Sequence, residues 1–169
     1  EIITPSLTYT AAIQAIVACG ARPVFCDVEE ETLNIDIASV ERKISKKTRA
    51  VLPVHYCGNP VDMSRLLALA QLNSLLVIED ACHGFGSLYK GKKIGSFGHM
   101  ACFSFDPVKV ITCGEGGCVT TNNDEWADVL QKKRLLGIDK DTWSRYKNER
   151  SWEYDVVTKG YRYHMSNIN

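Results

Sequence analysis

Charge of a single sign is absent: twenty Lys and Arg balance twenty Asp and Glu. No global field therefore recruits nucleic acid or an anionic membrane. No apolar run approaches the roughly 20 residues that cross a bilayer, and the opening residues lack a basic segment followed by an apolar one, so neither a membrane span nor an export signal is read. Internal repeats and low-complexity tracts are missing as well. No G-x-G-x-x-G or Walker sequence follows any strand-like segment, which weighs against a nucleotide-binding α/β domain. The seven cysteines are an odd number, and several lie in apolar runs where a reduced thiol packs as a small hydrophobe. They read as reduced thiols of a cytoplasmic protein. Cys113 and Cys118 form the one close pair, with no second Cys or His pair nearby to complete a tetrahedral zinc site. No metal is expected.

What is present is an ordinary globular composition. The 169 residues are 45% hydrophobic and 24% charged, with 12 Gly and 5 Pro, which suits one domain with a sizeable core. Glu1-Ile2-Ile3-Thr4-Pro5 reads like a strand interior reaching a turn, and Met165-Ser166-Asn167-Ile168-Asn169 like a helix cap without its helix. A fragment of a longer protein, incomplete at both ends, is expected.

Between those ends helical and strand-like segments alternate. Ala11, Ala12, Ile13, Ala15 and Ile16 give helical spacing over 8–19, stopped by Gly20. A strand over 22–28, a helix over about 36–45 after Asp36 and a strand over 49–55 come next. Helix 61–72, strand 74–79, strand 100–105, strand 117–121 and a helix over about 123–136 complete the pattern. The unbroken apolar character of 51–54 and 75–78 suits strands buried on both faces, so an α/β fold with a mostly parallel sheet between helices is predicted. Ligands of such sheets lie beyond the carboxyl ends of the strands.

His55, Glu79, Asp80, His83, Ser104 and Lys109 cluster at those ends. Lys109, flanked by Val108 and by Val110-Ile111, is a candidate Schiff-base amine, although an exposed loop lysine fits the same spacing. Asp80 closes an apolar strand, where its charge calls for a cation or several donors. A protonated heterocyclic nitrogen would answer it, as would a simple N-cap role. An acid, an amine and a hydroxyl together are what pyridoxal phosphate requires. His83 is equally readable as a hydrogen-bonded structural histidine.

Three segments taken in order, Val77-Ile78-Glu79-Asp80-Ala81-Cys82-His83-Gly84-Phe85-Gly86, Phe103-Ser104-Phe105-Asp106-Pro107-Val108-Lys109 and Gly114-Glu115-Gly116-Gly117, resemble the DegT/DnrJ/EryC1/StrS family. Pro5-Ser6-Leu7-Thr8-Tyr9-Thr10, Pro53-Val54-His55-Tyr56-Cys57-Gly58 and Gly160-Tyr161-Arg162-Tyr163-His164-Met165 fall in the same family order. The resemblance covers essentially the whole chain. It implies the large domain of a fold-type I pyridoxal-phosphate enzyme, with a sheet of the seven-stranded type. It further implies an aminotransferase acting on a nucleotide-linked sugar with an amino-acid donor, glutamate above all, in a homodimer.

By the same resemblance Lys109 is the Schiff-base and proton-moving residue, Asp80 holds the pyridine nitrogen protonated, and Tyr9 lies against the ring. His83 lies near the ring and its phenolic oxygen, and Ser104 donates to the phosphate. Arg162 or His164 reaches the phosphate of the partner subunit's cofactor. The family also has dehydratases in which His replaces the lysine, and catalytically silent regulatory or sensory members have been considered. Lys109 opposes the first, and Lys109, Asp80 and Ser104 together oppose the second. Residues 131–150 carry seven Lys and Arg against three acids, a charge that would receive a diphosphate or simply solvate a helix face. Trp143, Tyr146 and Trp152 are candidates for stacking on a base or sugar, or for packing a loop.

Overall fold

The computed structural model describes residues 1–139 and 154–169. They divide into two compact units, Glu1–Thr121 and Asn122–Asn169. The first holds β1 (Ile2–Pro5), α1 (Thr10–Ala18), β2 (Pro23–Cys26), α2 (Ile37–Lys43), β3 (Ala50–Val51) and α3 (Met63–Leu72). It continues with β4 (Leu76–Asp80), a short hairpin of β5 (Leu88–Tyr89) and β6 (Lys92–Lys93), then β7 (Met100–Ser104) and β8 (Gly117–Thr120). The second unit holds α4 (Asp124–Arg134) and the bridges Leu135 to Arg162 and Ile138 to Val156.

The helices start where a short polar side chain takes up a free N–H of the first turn. Asp36 accepts from Ala38 at 2.9 Å, Asp62 from Arg65 at 3.1 Å and Asn123 from Trp126 at 2.9 Å. α1 instead begins at Tyr9 with no side-chain cap.

The main sheet runs in the order β2-β1-β3-β4-β7-β8. Every neighbouring pair is parallel except β7 with β8. The mostly parallel α/β sheet therefore stands as expected, and the described residues contribute six strands to it. β8 runs antiparallel because residues 105–116 that join it to β7 contain no helix to carry the chain back across the sheet. The order reverses at β1, whose neighbours β2 and β3 lie on opposite sides, so the crevice for a ligand opens at the carboxyl ends of β1 and β3.

The core gathers Ile3, Val51 and Val77 of the sheet with Val40 of α2 and Met63, Leu66 and Ala70 of α3. Along β4 burial alternates, with Val77 and Glu79 fully buried and Ile78 and Asp80 partly open. Successive strand residues face opposite ways, so Glu79 enters the core while Asp80 faces away from it. Among the described residues no helix is long and apolar enough to cross a membrane. The basic stretch 131–150 lies partly outside the described residues, and Trp143, Tyr146 and Trp152 lie wholly outside them.

Candidate cofactor site

Asp80 is held by main-chain bonds on both sides. Its N–H donates to the Pro53 carbonyl at 2.8 Å, its carbonyl accepts the His55 N–H at 3.0 Å, and the Ala81 N–H reaches Cys102 O at 2.9 Å. Its Oδ1 accepts the Cys82 N–H at 3.1 Å, and among the described residues it forms no ion pair. Asp80 pairs in register with Cys102 of β7, and Ser104 lies two residues further along the same face. One face of adjacent strands thus presents a carboxylate, a thiol and a hydroxyl.

Lys109 lies in the loop after β7. The Cys82 thiol is pushed up to about 12, first by burial and then by the Asp80 carboxylate, while the Lys109 ammonium pulls the other way. Lys109 is tied to the strand end through its main chain: its N–H donates to Asp106 O at 3.0 Å, and the Asp106 N–H donates to Ser104 Oγ at 3.3 Å. Cys102 is raised to about 11 by burial and then by Asp80, and Cys26 to about 12 by burial and then by Asp27. A thiol with so high a pKa is a poor nucleophile. Iodoacetamide at neutral pH is expected to label exposed Cys19 and Cys57 and to spare Cys26, Cys82 and Cys102 until the protein unfolds. Peptide mapping reads the order, and early labelling of Cys82 would contradict this account.

His83 follows in a turn closed by the Gly84 N–H on Ala81 O at 2.8 Å. Its ring stands edge-on to Tyr56 with centroids 6.3 Å apart, and its Nδ1 is buried without a partner among the described residues. The segment 56–58 presses against it so closely that a Cβ on Gly58 would lie 2.8 Å from the His83 carbonyl, and Gly58 also has a φ of +80°. Only glycine suits that position. Tyr9 stands at the carboxyl end of β1, where the crevice opens, with its side chain 80% exposed.

His55 and Glu79 do not join the strand-end polar groups, which corrects the reading from spacing alone. Both are fully buried. His55 Nδ1 accepts the Val61 N–H at 3.1 Å and therefore carries no proton, so Nε2–H donates to Glu79 Oε2 at 3.0 Å. Glu79 also accepts from the Gly95, Phe97 and Gly98 N–H groups. Every polar atom of the pair is satisfied internally, which leaves it a structural strut beneath Asp80. Cys82, whose N–H holds Asp80 Oδ1, was not singled out by residue type, because a cysteine in an apolar run looks like core.

A mostly parallel sheet with polar side chains at the carboxyl ends of its strands is the framework of the α/β folds that take ligands at those ends. The model of the DegT/DnrJ/EryC1/StrS aminotransferase family matches residues 1–169, and the chain belongs to that family. It is 46% identical over 168 residues to the uncharacterized protein MJ1066 of Methanocaldococcus jannaschii, covering 99% of this chain and 44% of that protein. With the spore coat polysaccharide biosynthesis protein SpsC of Bacillus subtilis it shares 42% identity over 99% of this chain and 43% of the relative. Its fold superposes with a TM-score of 0.90 on Helicobacter pylori PseC, an aminotransferase involved in the biosynthesis of pseudoaminic acid, at 31% identity and covering 99% of this chain and 43% of that one. The chain spans less than half the length of these relatives.

Proposed function

We propose that this chain is the cofactor-bearing large domain of a pyridoxal-phosphate-dependent aminotransferase. The enzyme moves an amino group from an amino acid, glutamate by preference, to a keto group of a nucleotide-linked sugar. The observation that carries the reading is the placement of Asp80 and Ser104 on one face at the carboxyl ends of β4 and β7, with Lys109 in the loop that follows. The family and the polysaccharide and sugar-acid roles of its relatives support the sugar.

The residues present suit the cofactor. Among the described residues Asp80 has acceptor capacity beyond its bond to the Cys82 N–H and no cation of its own, and His83 offers a buried ring nitrogen without a partner. Pyridoxal phosphate, when bound, supplies an electron-accepting ring and a carbonyl carbon that condenses with amines. Asp80 holds a proton on the ring nitrogen, which sustains the ring's electron demand. His83 hydrogen-bonds near the phenolic oxygen, Ser104 Oγ donates to the phosphate, and Tyr9 covers one ring face and keeps water from it. Lys109 Nζ would anchor the cofactor and would serve as the base that takes up and returns a proton. Arg162 or His164 reaches the phosphate held by a second copy in a cytoplasmic homodimer.

Borohydride reduction of the full-length protein loaded with pyridoxal phosphate, followed by peptide mapping, is expected to leave a pyridoxyl group on Lys109. A folded, full-length protein with no such tag would overturn the reading in favour of a non-catalytic member of the family.

A further inference from the structure

Lys109 stands in a loop whose ends are tied together and whose flanks are bare. Phe105 closes the loop: its N–H donates to Gly116 O at 2.8 Å, and its carbonyl accepts the Cys113 N–H at 3.2 Å and the Thr112 hydroxyl at 3.0 Å. Thr112 Oγ1 in turn accepts the Gly114 N–H at 3.1 Å. Val108 and Val110, on either side of Lys109, are 84% and 79% exposed. Apolar packing therefore does little to shape this segment, and hydrogen bonds must do it.

Asp106 makes the inner bonds. Its carbonyl accepts the Lys109 N–H at 3.0 Å, which closes a β-turn with Asp at the first position and Pro107, of fixed φ, at the second. Its Oδ1 accepts the Val108 N–H at 3.0 Å across the same turn. Its own N–H donates to Ser104 Oγ at 3.3 Å. Ser104 Oγ accepts here through one lone pair, and among the described residues its hydroxyl proton has no acceptor. A single residue thus grips the main chain of Lys109 on one side and the hydroxyl of Ser104 on the other.

We infer that Asp106 is a positioning residue, whose side-chain oxygen, by holding the Val108 N–H, fixes the turn that sets the direction in which the Lys109 amine leaves the loop and that keeps the Asp106 N–H on Ser104 Oγ. The inference rests on the reading of Lys109 and Ser104 as cofactor-holding groups. Asparagine retains the acceptor at Oδ1 and alanine removes it, so the two substitutions separate the hydrogen bond from everything else at this position.

Asp106→Ala and Asp106→Asn are to be made in the full-length protein and read in two ways. Without cofactor, deuterium uptake of the peptide covering 104–110 is followed by mass spectrometry. With pyridoxal phosphate, the pH midpoint of the visible absorption band is titrated. Alanine is expected to speed exchange in that peptide about tenfold and to move the midpoint, since a turn bond to a charged acceptor is lost. Asparagine is expected to stay within about twofold of wild type in exchange, with the midpoint in place. Unchanged exchange in the alanine variant would overturn the inference. So would faster exchange with an unmoved midpoint, which reduces Asp106 to a loop cap, or an asparagine variant that behaves like alanine. A wild-type protein with no visible band would instead bring down the cofactor reading, and the cofactor-free exchange measurement keeps the two failures apart.

Discussion

Replacing Lys109 with alanine is expected to lower turnover of the full-length protein at least about ten-thousandfold, because one side chain both anchors the cofactor and moves the proton. A general acid–base group alone contributes roughly 10²–10⁴-fold, and here the covalent anchor is lost as well. The loss should fall on kcat and leave KM for the sugar little changed, since the lysine acts on the reacting carbon. A small primary amine added to the assay should restore part of the rate, because the missing function is that of an amine free to carry a proton. Lys90→Ala serves as the control: Lys90 lies in the β5–β6 turn with its Nζ on Ser64 Oγ at 2.9 Å, far in role from the proposed chemistry. A Lys109→Ala protein that keeps more than about a hundredth of wild-type kcat would remove the lysine from the mechanism.

Much of the framework could be read before any coordinates, for identifiable reasons. Asp36 before an apolar helical pattern and the unbroken apolar run 75–78 are local signals, and the helix and strand they announce are present. The antiparallel course of β8 was less accessible, since it depends on the loop 105–116 lacking a helix. The roles of His55 and Glu79 were not accessible either. His55 takes its partners from positions 6 and 24 residues away, and the three N–H groups on Glu79 come from a segment 16 to 19 residues away. Spacing shows that these residues end strands and cannot show which face is covered. The single-residue step from Glu79 to Asp80 separates a core strut from a group open to a ligand. In the same way Asp106 looks like a turn residue beside Pro107, and only its bonds to Ser104 and to the Lys109 N–H link it to the proposed site.

That step to Glu79 leads to the largest expected effect on stability. Glu79→Gln, though nearly isosteric, is expected to destabilise the fold by about 3 kcal/mol or more. Oε1 accepts the Phe97 N–H at 3.2 Å and the Gly98 N–H at 2.6 Å, while Oε2 accepts His55 Nε2–H at 3.0 Å and the Gly95 N–H at 3.2 Å. Whichever way the amide turns, its NH₂ faces two donors and leaves both unsatisfied in a site with no solvent access. The pH dependence gives the charge its own signature. Burial, the largest single influence on the Glu79 carboxyl, would raise its pKa, but the bonds from His55, Gly98 and Gly95 outweigh it and hold the group below its ordinary 4.5. A carboxyl lowered in the folded state contributes stability that is full above its unfolded pKa and is lost as pH falls through the folded one. Glutamine does not titrate. The difference in unfolding free energy between wild type and Glu79→Gln should therefore be constant near neutrality and shrink below about pH 4.5, as urea unfolding at a series of pH values would show. Two curves that stay parallel into acid would mean that the carboxylate is not the ionised acceptor described, and that the loop 95–98 is held by something other than its charge.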